Sequence, residues 1–579
     1  MVEHDLVVRG GTVVDGTGGP ARTADVAVQD GRVVEVGRVG GRGREELDAA
    51  GALVAPGFVD IHTHYDGQAT WDSSLAPSAW HGVTTVVTGN CGVGFAPVRP
   101  SDHDRLIELM EGVEDIPGVV LHEGLSWAWE SFPEFLDEVD ARPHDIDVAT
   151  QVPHGALRLN VMRERGARQE PATPEDIEAM AALAREAVEA GALGFSTSRT
   201  LNHRTSTGEH TPTLTAEVDE LVGIAAALGQ AGTGVLQVVS DFLDFDTELD
   251  ICRRMMAESG RPMSISVVQS PIIPTLWRDL LDAVSEANAD GLRMSAQVAA
   301  RPVGILNGLQ CTLHPLLVNP VHREIAHLPA PEQARIMADP DFKRRVLEAA
   351  GGRAPKGALR GRLTGRFEQM YVLGDPPDYE PDPATSVAGQ AAREGREPLD
   401  LAYDLLMADE GRALLYQPIL NFVDGDLDAV GEMLSHPFSL PGLSDGGAHV
   451  GTICDGSFPT TLLAHWGRDR RRGRIDLPFL VSRQCRETAQ AVGLLDRGVL
   501  APGYRADLNV IDFDALRLRA PVMRFDLPAG GKRLLQKADG YRHTFVAGVE
   551  TYRDGEATGA LPGRLVRGAQ RAPMRSDSR

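Results

Sequence analysis

Hydrophobic and polar positions change rhythm twice along this chain. Over residues 5–38 apolar and polar side chains alternate, as in Leu6-Val-Val-Arg-Gly-Gly, Thr12-Val-Val-Asp-Gly and Ala24-Asp-Val-Ala-Val-Gln-Asp-Gly-Arg-Val-Val-Glu-Val36. A period of two, broken by turn residues, predicts short strands, and Asp30-Gly31 between two alternating runs is a hairpin signal. The same texture returns in Ala506-Asp-Leu-Asn-Val-Ile-Asp512 and Thr544-Phe-Val-Ala-Gly-Val-Glu-Thr-Tyr552. Strands at both ends around a different middle predict one small β-sandwich domain from residues 1–54 and 491–562, with residues 55–490 inserted between its halves.

In the middle, apolar runs alternate with amphipathic stretches, the mark of βαβ units and a parallel sheet. Candidate strands lie at 58–62, 83–88, 146–151, 192–197, 235–239, 263–269 and 292–298, with a last one just before Ser444-Asp445. Helices are predicted between them. In the clearest, running to residue 190, Thr173 is the N-cap, Pro174 takes the first helical position and acidic residues fill the first turn. Stretches 215–229 and 276–288 are two more. Eight strand and helix repeats favour a (β/α)8 TIM-type barrel over a doubly wound sheet, so catalytic groups belong at the C-terminal ends of strands.

Two stretches depart from the repeat. Residues 310–400 are rich in Pro, Arg and Gly, carry helical runs at 331–339 and 342–350, and read as an insertion before the last strand. A lid or pocket wall and an oligomer contact are both open for it. The polar, basic stretch 563–579 is expected to be a disordered tail.

The strand at 58–62 runs into His62-Thr-His64-Tyr-Asp66. On an extended strand, residues i and i+2 share a face, so both imidazoles leave the backbone in one direction and can share a metal. A single histidine at a strand end is more often a hydrogen-bonded core residue, but two at this spacing reverse that balance. Neutral imidazole suits zinc and its neighbours, and a metal site open to water generates hydroxide near neutral pH. Cys91, in Thr88-Gly-Asn-Cys-Gly-Val-Gly94, follows the second strand; a buried apolar role and a ligand role are both open. Asp445, in Leu443-Ser-Asp-Gly-Gly-Ala-His-Val450, follows the last strand. It could bind metal and take a proton from water, although Asp before Gly-Gly also forms turns. His154, Arg199, His203 and His210 sit at strand ends or in the polar loop beyond the fourth strand, where they would suit capture of a substrate carboxylate or simply solvate the rim.

Composition narrows the classes. With 579 residues, 42% hydrophobic and 24% charged, the chain has the make-up of a soluble globular protein of two or more domains, or of a barrel with insertions. Lysine and arginine number 57 against 82 acidic residues, a formal charge of −25. That field repels phosphate backbones and anionic lipid surfaces, so nucleic-acid and membrane partners are not expected, and an anionic substrate needs local basic groups. Met1-Val-Glu-His-Asp5 has no basic segment leading into an apolar run, and the expected location is cytoplasmic. Five scattered cysteines (Cys91, Cys252, Cys311, Cys454, Cys485) without a C-x-x-C pair form no disulfide framework.

Together these motifs resemble the amidohydrolase superfamily, specifically the N-acyl-D-amino-acid deacylase (D-aminoacylase-like) family. The matching segments are Val54-Ala-Pro-Gly-Phe-Val-Asp-Ile-His-Thr-His-Tyr-Asp66, Thr84-Thr-Val-Val-Thr-Gly-Asn-Cys-Gly92, His154-Gly-Ala-Leu-Arg158, Gly191-Ala-Leu-Gly-Phe-Ser-Thr197, Ser444-Asp-Gly-Gly447 and Arg497-Gly-Val-Leu-Ala-Pro-Gly-Tyr-Arg-Ala-Asp507. They span nearly the whole chain outside 310–400. The resemblance implies a (β/α)8 barrel with a β-sandwich and zinc-dependent hydrolysis of an amide. His62 and His64 are then ligands of one metal position, Cys91 a ligand of a second, and Asp445 the base that also touches metal. It further implies two histidines on later strands, where this chain has Val267-Val-Gln-Ser270 and Ala296-Gln-Val-Ala-Ala300, offering Gln269 and Ala299. Neither is a good zinc ligand, so one zinc ion and a weakened second position are expected. The expected substrate is a small N-acylated amino acid, its carboxylate received by the rim of His154, Arg199, His203 and Gln269. A cyclic-amide hydrolase and a non-catalytic barrel scaffold are the alternatives, and a homo-oligomer stays open.

Overall fold

A computed structural model describes residues 2–349 and 365–574. Eight strands form its centre: Phe58–Asp60, Val83–Thr88, Asp147–Thr150 continued by Val152–Pro153, Gly194–Arg199, Val235–Ser240, Met263–Ser266, Met294–Val298 and Ser439–Pro441. Each pairs in parallel with the next. A parallel bridge between Thr63 and Gly446 joins the eighth back to the first and closes the (β/α)8 cylinder. The first two strands are buried at every position, as their unbroken apolar runs require.

The connecting helices follow their local signals. Pro174–Ala190 starts on Thr173, whose hydroxyl accepts from the Asp176 amide while the Asp176 carboxylate accepts from the Thr173 amide, a reciprocal cap. Val218–Ala231 and Leu276–Ala289 occupy the other two anticipated stretches, and Phe245–Ser259 adds one with Asp244 as its cap.

The chain ends meet in one nine-stranded sheet. Its junction is Leu53–Pro56, parallel to Val2–Val13 on one side and antiparallel to Leu508–Ile511 on the other. The hairpin at Asp30-Gly31 forms, both residues taking positive φ (49° and 71°). Leu6, Val8, Val26, Val54, Leu508 and Phe545 pack into a core separate from the barrel's.

The insertion begins earlier and ends later than its composition suggested. Gly304–Asn307, Tyr371–Val372 and Leu415–Pro418 form a three-stranded antiparallel sheet. Helices Ala330–Met337, Pro340–Ala349, Val387–Glu394 and Pro398–Gly411 gather beside it around their own core of Leu316, Met337, Val346, Met370, Val387 and Leu406. Gly304–Asn307 and Leu415–Pro418, the strands outside residues 310–400, carry ordinary apolar residues that the Pro, Arg and Gly bias did not mark.

The expected disordered tail is overturned over residues 563–574. Gly563 bridges to His144, Leu565 to Val148 and Gln570 to Leu494, and Val566 shares a core with Val59, Val87, Ala149 and Leu440 from four barrel strands. Two apolar residues in a basic stretch suffice to dock it; residues 575–579 lie outside the described chain.

Candidate metal centre at the barrel mouth

His62 and His64 leave the first strand together, with ring centroids 5.5 Å apart. Cys91 follows the second strand, its amide donating to the Gln237 side chain while Asn90 ties the same turn to the Thr63 and Val87 carbonyls. One ligand atom each from His62, His64 and Cys91 lies within 4.8 Å of the others, and all three residues are buried. His62 Nε2 stands 3.3 Å from Cys91 Sγ.

Asp445 closes the group from the eighth strand, which lies beside the first where the cylinder closes. Its Oδ1 is 3.4 Å from His62 Nε2 and 3.6 Å from His64 Nε2. The backbone enforces this: the Asp445 amide donates to the His62 carbonyl and the His64 amide to the Gly446 carbonyl. Gly447, at φ +93°, passes so close that a Cβ would stand 2.8 Å from the Tyr65 ring and 2.9 Å from the His64 carbonyl oxygen, which is why the turn needs glycine. Cys91 (φ 56°), Asp445 (φ 47°) and His449 (φ 51°) hold left-handed backbone without being glycine, local strain of the kind that functional sites retain.

Second contacts orient the ring of His62. Its Nδ1 is 2.7 Å from Gln297 Oε1, and Gln297 Nε2 donates to Ser264. A proton on Nδ1 leaves the Nε2 lone pair toward Cys91 and Asp445, the arrangement that metal-binding histidines use.

The charge balance of the mouth suits a bound cation. Burial lowers His62 and His64, so both rings are neutral near pH 7. Burial pushes Asp66 up to about 7, and burial together with the Asp445 and Asp66 charges carries Glu114 well above the usual carboxylate range. Burial also raises the Cys91 thiol, reinforced by Glu114, Asp445 and Asp66. Burial works upward on Asp445 as well, but the neighbouring His64, His62 and His449 rings outweigh it and hold Asp445 below its ordinary range. Carboxylates destabilised by one another, beside neutral imidazoles with no hydrogen-bond partner on His64, fit a divalent ion. The donor set of two imidazoles, a thiol and a carboxylate is of the type zinc accepts.

The other anticipated rim residues are placed differently. His154 is buried with both nitrogens engaged, Nδ1 at 2.8 Å from Thr197 and Nε2 at 2.8 Å from Glu220, which also pairs with Arg158, so no ring nitrogen remains for a ligand. Arg199 is clamped on Glu248 and the Ala216 carbonyl. Gln269 donates to Asp424 at 2.7 Å and accepts from the Val423 amide. Ala299 is fully buried. His210 bridges to Arg204 within its own loop. His203 alone of this rim senses the centre: Nδ1 meets Ser198 at 2.8 Å, and burial, then the neighbouring His449 and His64, push it down to about 3.

Three residues at the mouth escaped the sequence reading: Gln297, Glu114 and His449. His449 stands four residues after Asp445 in the segment that drew attention to that aspartate. Glu114 ends helix His103–Glu114 on the same buried face as Ile107, Met110 and Val113. An acidic residue on an apolar stripe was the available signal.

A parallel barrel that gathers two imidazoles, a thiol and a carboxylate at the C-terminal ends of its strands has the make-up of a metal-dependent hydrolase. The chain belongs to the amidohydrolase family, whose family model matches residues 45–552. It is 27% identical over 569 residues to the D-aminoacylase of Alcaligenes xylosoxydans xylosoxydans, covering 97% of each chain. To the N-acyl-D-aspartate deacylase of the same organism it is 27% identical over 591 residues, covering 100% of this chain and 97% of that one. Among solved structures it is similar to a D-aminoacylase described by its binuclear metal centre, with TM-score 0.65 and 25% identity, covering 98% of this chain and 100% of that.

Proposed function

We propose that this chain is a metal-dependent hydrolase that cleaves the amide bond of an N-acyl-D-amino acid or a similar N-acylated carboxylate. The observation that carries the reading is the convergence of Asp445 on His62 and His64, at 3.4 and 3.6 Å, from opposite ends of the barrel's strand order. The activities named for the two full-length relatives support the substrate class. A zinc-class ion held by His62, His64 and Cys91 would supply Lewis-acid polarisation of a carbonyl and acidify water near neutral pH. Asp445, held ionised, takes a proton from the attacking water and returns it to the leaving amine nitrogen. Gln297 keeps His62 in the tautomer that leaves Nε2 free of a proton. His203, neutral and bonded through Nδ1, offers its second nitrogen toward the substrate's polar end, a role that Arg199 and Gln269 surrender to Glu248 and Asp424.

Turnover of N-acyl-D-amino acids, including acidic ones, against hydantoins and dihydropyrimidines tests the substrate class; faster turnover of the cyclic amides would displace it. In Asp445→Asn, kcat on the best substrate is expected to fall by at least about 100-fold. Full activity in both Asp445→Asn and His62→Ala would remove the mechanism.

A further inference from the structure

A cavity of about 200 Å³ lies between residues 376–379 of the insertion, the helical run 460–469 and the short strand Arg517–Leu518. Its wall includes none of His62, His64, Cys91 or Asp445. Most of its polar groups are already engaged: Thr460 meets His81 and Tyr541, His465 meets Glu380, and Arg517 meets Asp539. Two residues of the wall are not satisfied. The Thr461 hydroxyl and the Nε and Nη1 groups of Arg301 are buried without a hydrogen-bond partner.

Arg301 follows the seventh strand and is 1% exposed. Its Nη2 donates to the Cys454 carbonyl at 2.7 Å and to Asp455 Oδ1 at 2.9 Å, and the guanidinium stands 3.6 Å from the centre of the Tyr379 ring. These contacts fix its plane and leave the Nε and Nη1 hydrogens without an acceptor. Asp455 is its only ion-pair partner among the described residues, and burial pushes that carboxyl up to about 7 in spite of Arg301. A buried guanidinium with so weak a counter-charge calls for a further acceptor. Just after Thr461 the helix widens into a π-helix over Leu462–Asp469, a geometry frequent at functional sites.

We propose that this cavity is a second ligand site, which takes a small free amino acid through its carboxylate, bound to Arg301 and Thr461. Unpaired N–H and O–H donors at a buried position select an anion, and the rest of the wall narrows which one. Asp378 and Asp469 belong to the same wall and are exposed, and the Asp378 carboxylate accepts only from the Glu380 amide. Two carboxylates repel a dianion such as phosphate and welcome an ammonium. A zwitterion answers both ends, its carboxylate inward and its ammonium at the rim. Leu427, Ala464 and Leu518 supply apolar wall for a short side chain. The proposal does not depend on the metal reading.

Titration calorimetry on the full-length protein, both metal-loaded and metal-stripped, tests this with D- and L-alanine as probes and acetate and inorganic phosphate as controls. At least one alanine enantiomer is expected to bind one equivalent with the same affinity in both preparations. Acetate, without the ammonium, should bind about 3-fold more weakly, and phosphate more weakly still. Arg301→Gln should abolish binding, but it also breaks a buried ion pair, so two gentler variants carry the test. Thr461→Val removes only the hydroxyl and should weaken alanine about 10-fold, whereas Ala464→Met fills the cavity and should block it. No binding by either enantiomer, or binding that disappears with the metal, would overturn the site. Full affinity retained in both gentler variants would do the same, and phosphate or acetate binding as tightly as alanine would overturn the choice of ligand.

Discussion

Buried charge is handled in opposite ways at the two ends of the barrel. Where the third strand starts, Asp147 accepts from Arg497 at 2.7 Å and from Arg505 at 2.9 Å, while Arg497 also reaches Thr85 and Asp496. The anions there meet cations supplied by the chain itself: Arg497 and Arg505 stand among Asp147, Asp496 and Asp507. At the mouth, Asp66, Glu114 and Asp445 face neutral histidines and a thiol, and among the described residues no arginine or lysine pairs with them. The first cluster couples the barrel to the segment leading into the terminal sheet through arginines of the chain itself. The second has the make-up of a site for a cation from outside, and on the proposed reading this separates a structural charge network from a binding one.

Removing one partner from the first cluster should cost the most stability. Arg497→Ala leaves Asp147 short of its main counter-charge and is expected to destabilise the fold by about 3–5 kcal/mol. Metal content per folded molecule should stay unchanged, as chemical denaturation combined with elemental analysis would show; a loss of metal at unchanged stability would erase the distinction between the two ends.

An effect that is smaller per pH unit follows from His81, buried between Thr460 and the Gln536 carbonyl and pushed down to about 3, chiefly by burial. Its folded pKa lies below the unfolded value, so the unfolded chain binds the extra proton first and stability is lost as pH falls from about 6.5 toward 3. One such group contributes a slope of about 1.4 kcal/mol per pH unit in that window. Denaturation curves of the wild type and His81→Gln should converge by that slope on acidification, and parallel curves would refute it.

Smallest in stability is Gln297→Leu. It removes the hydrogen bond to His62 Nδ1, so metal affinity should weaken by about 10–100-fold while the midpoint of unfolding of metal-free protein barely moves. Competition with a chromophoric chelator measures the first quantity. An unaltered affinity would mean that Gln297 merely packs against the ring.

The same contrast explains what the sequence could and could not reveal. Seven barrel strands are legible as apolar runs and the eighth only by its place before Ser444-Asp445, while His62, His64, Cys91 and Asp445 stand out because strand ends converge in a barrel whatever lies between them. Whether a polar side chain at a strand end is free is a different matter. His154, Arg199 and Gln269 were equally well positioned on paper, yet Glu220, Glu248 and Asp424, at separations of 66, 49 and 155 residues, had already claimed them. Local pattern records which face a residue occupies; it does not record which distant partner arrives there. Glu114 and His449 went unnoticed for the converse reason, since a helix-end glutamate and a loop histidine become notable only when the fold sets them beside Asp445. Leu565-Val566 escaped because two apolar residues carry no periodicity.

The docking of Val566 against four barrel strands has a consequence for the order of folding. Val59 and Val566 come from far-apart points of the chain, and Leu53–Pro56 likewise gains its second neighbour only from Leu508–Ile511. The first strand and the terminal sheet must therefore wait for distant segments before their packing is complete, a high-contact-order route that leaves strand edges exposed and suits capture by holding chaperones.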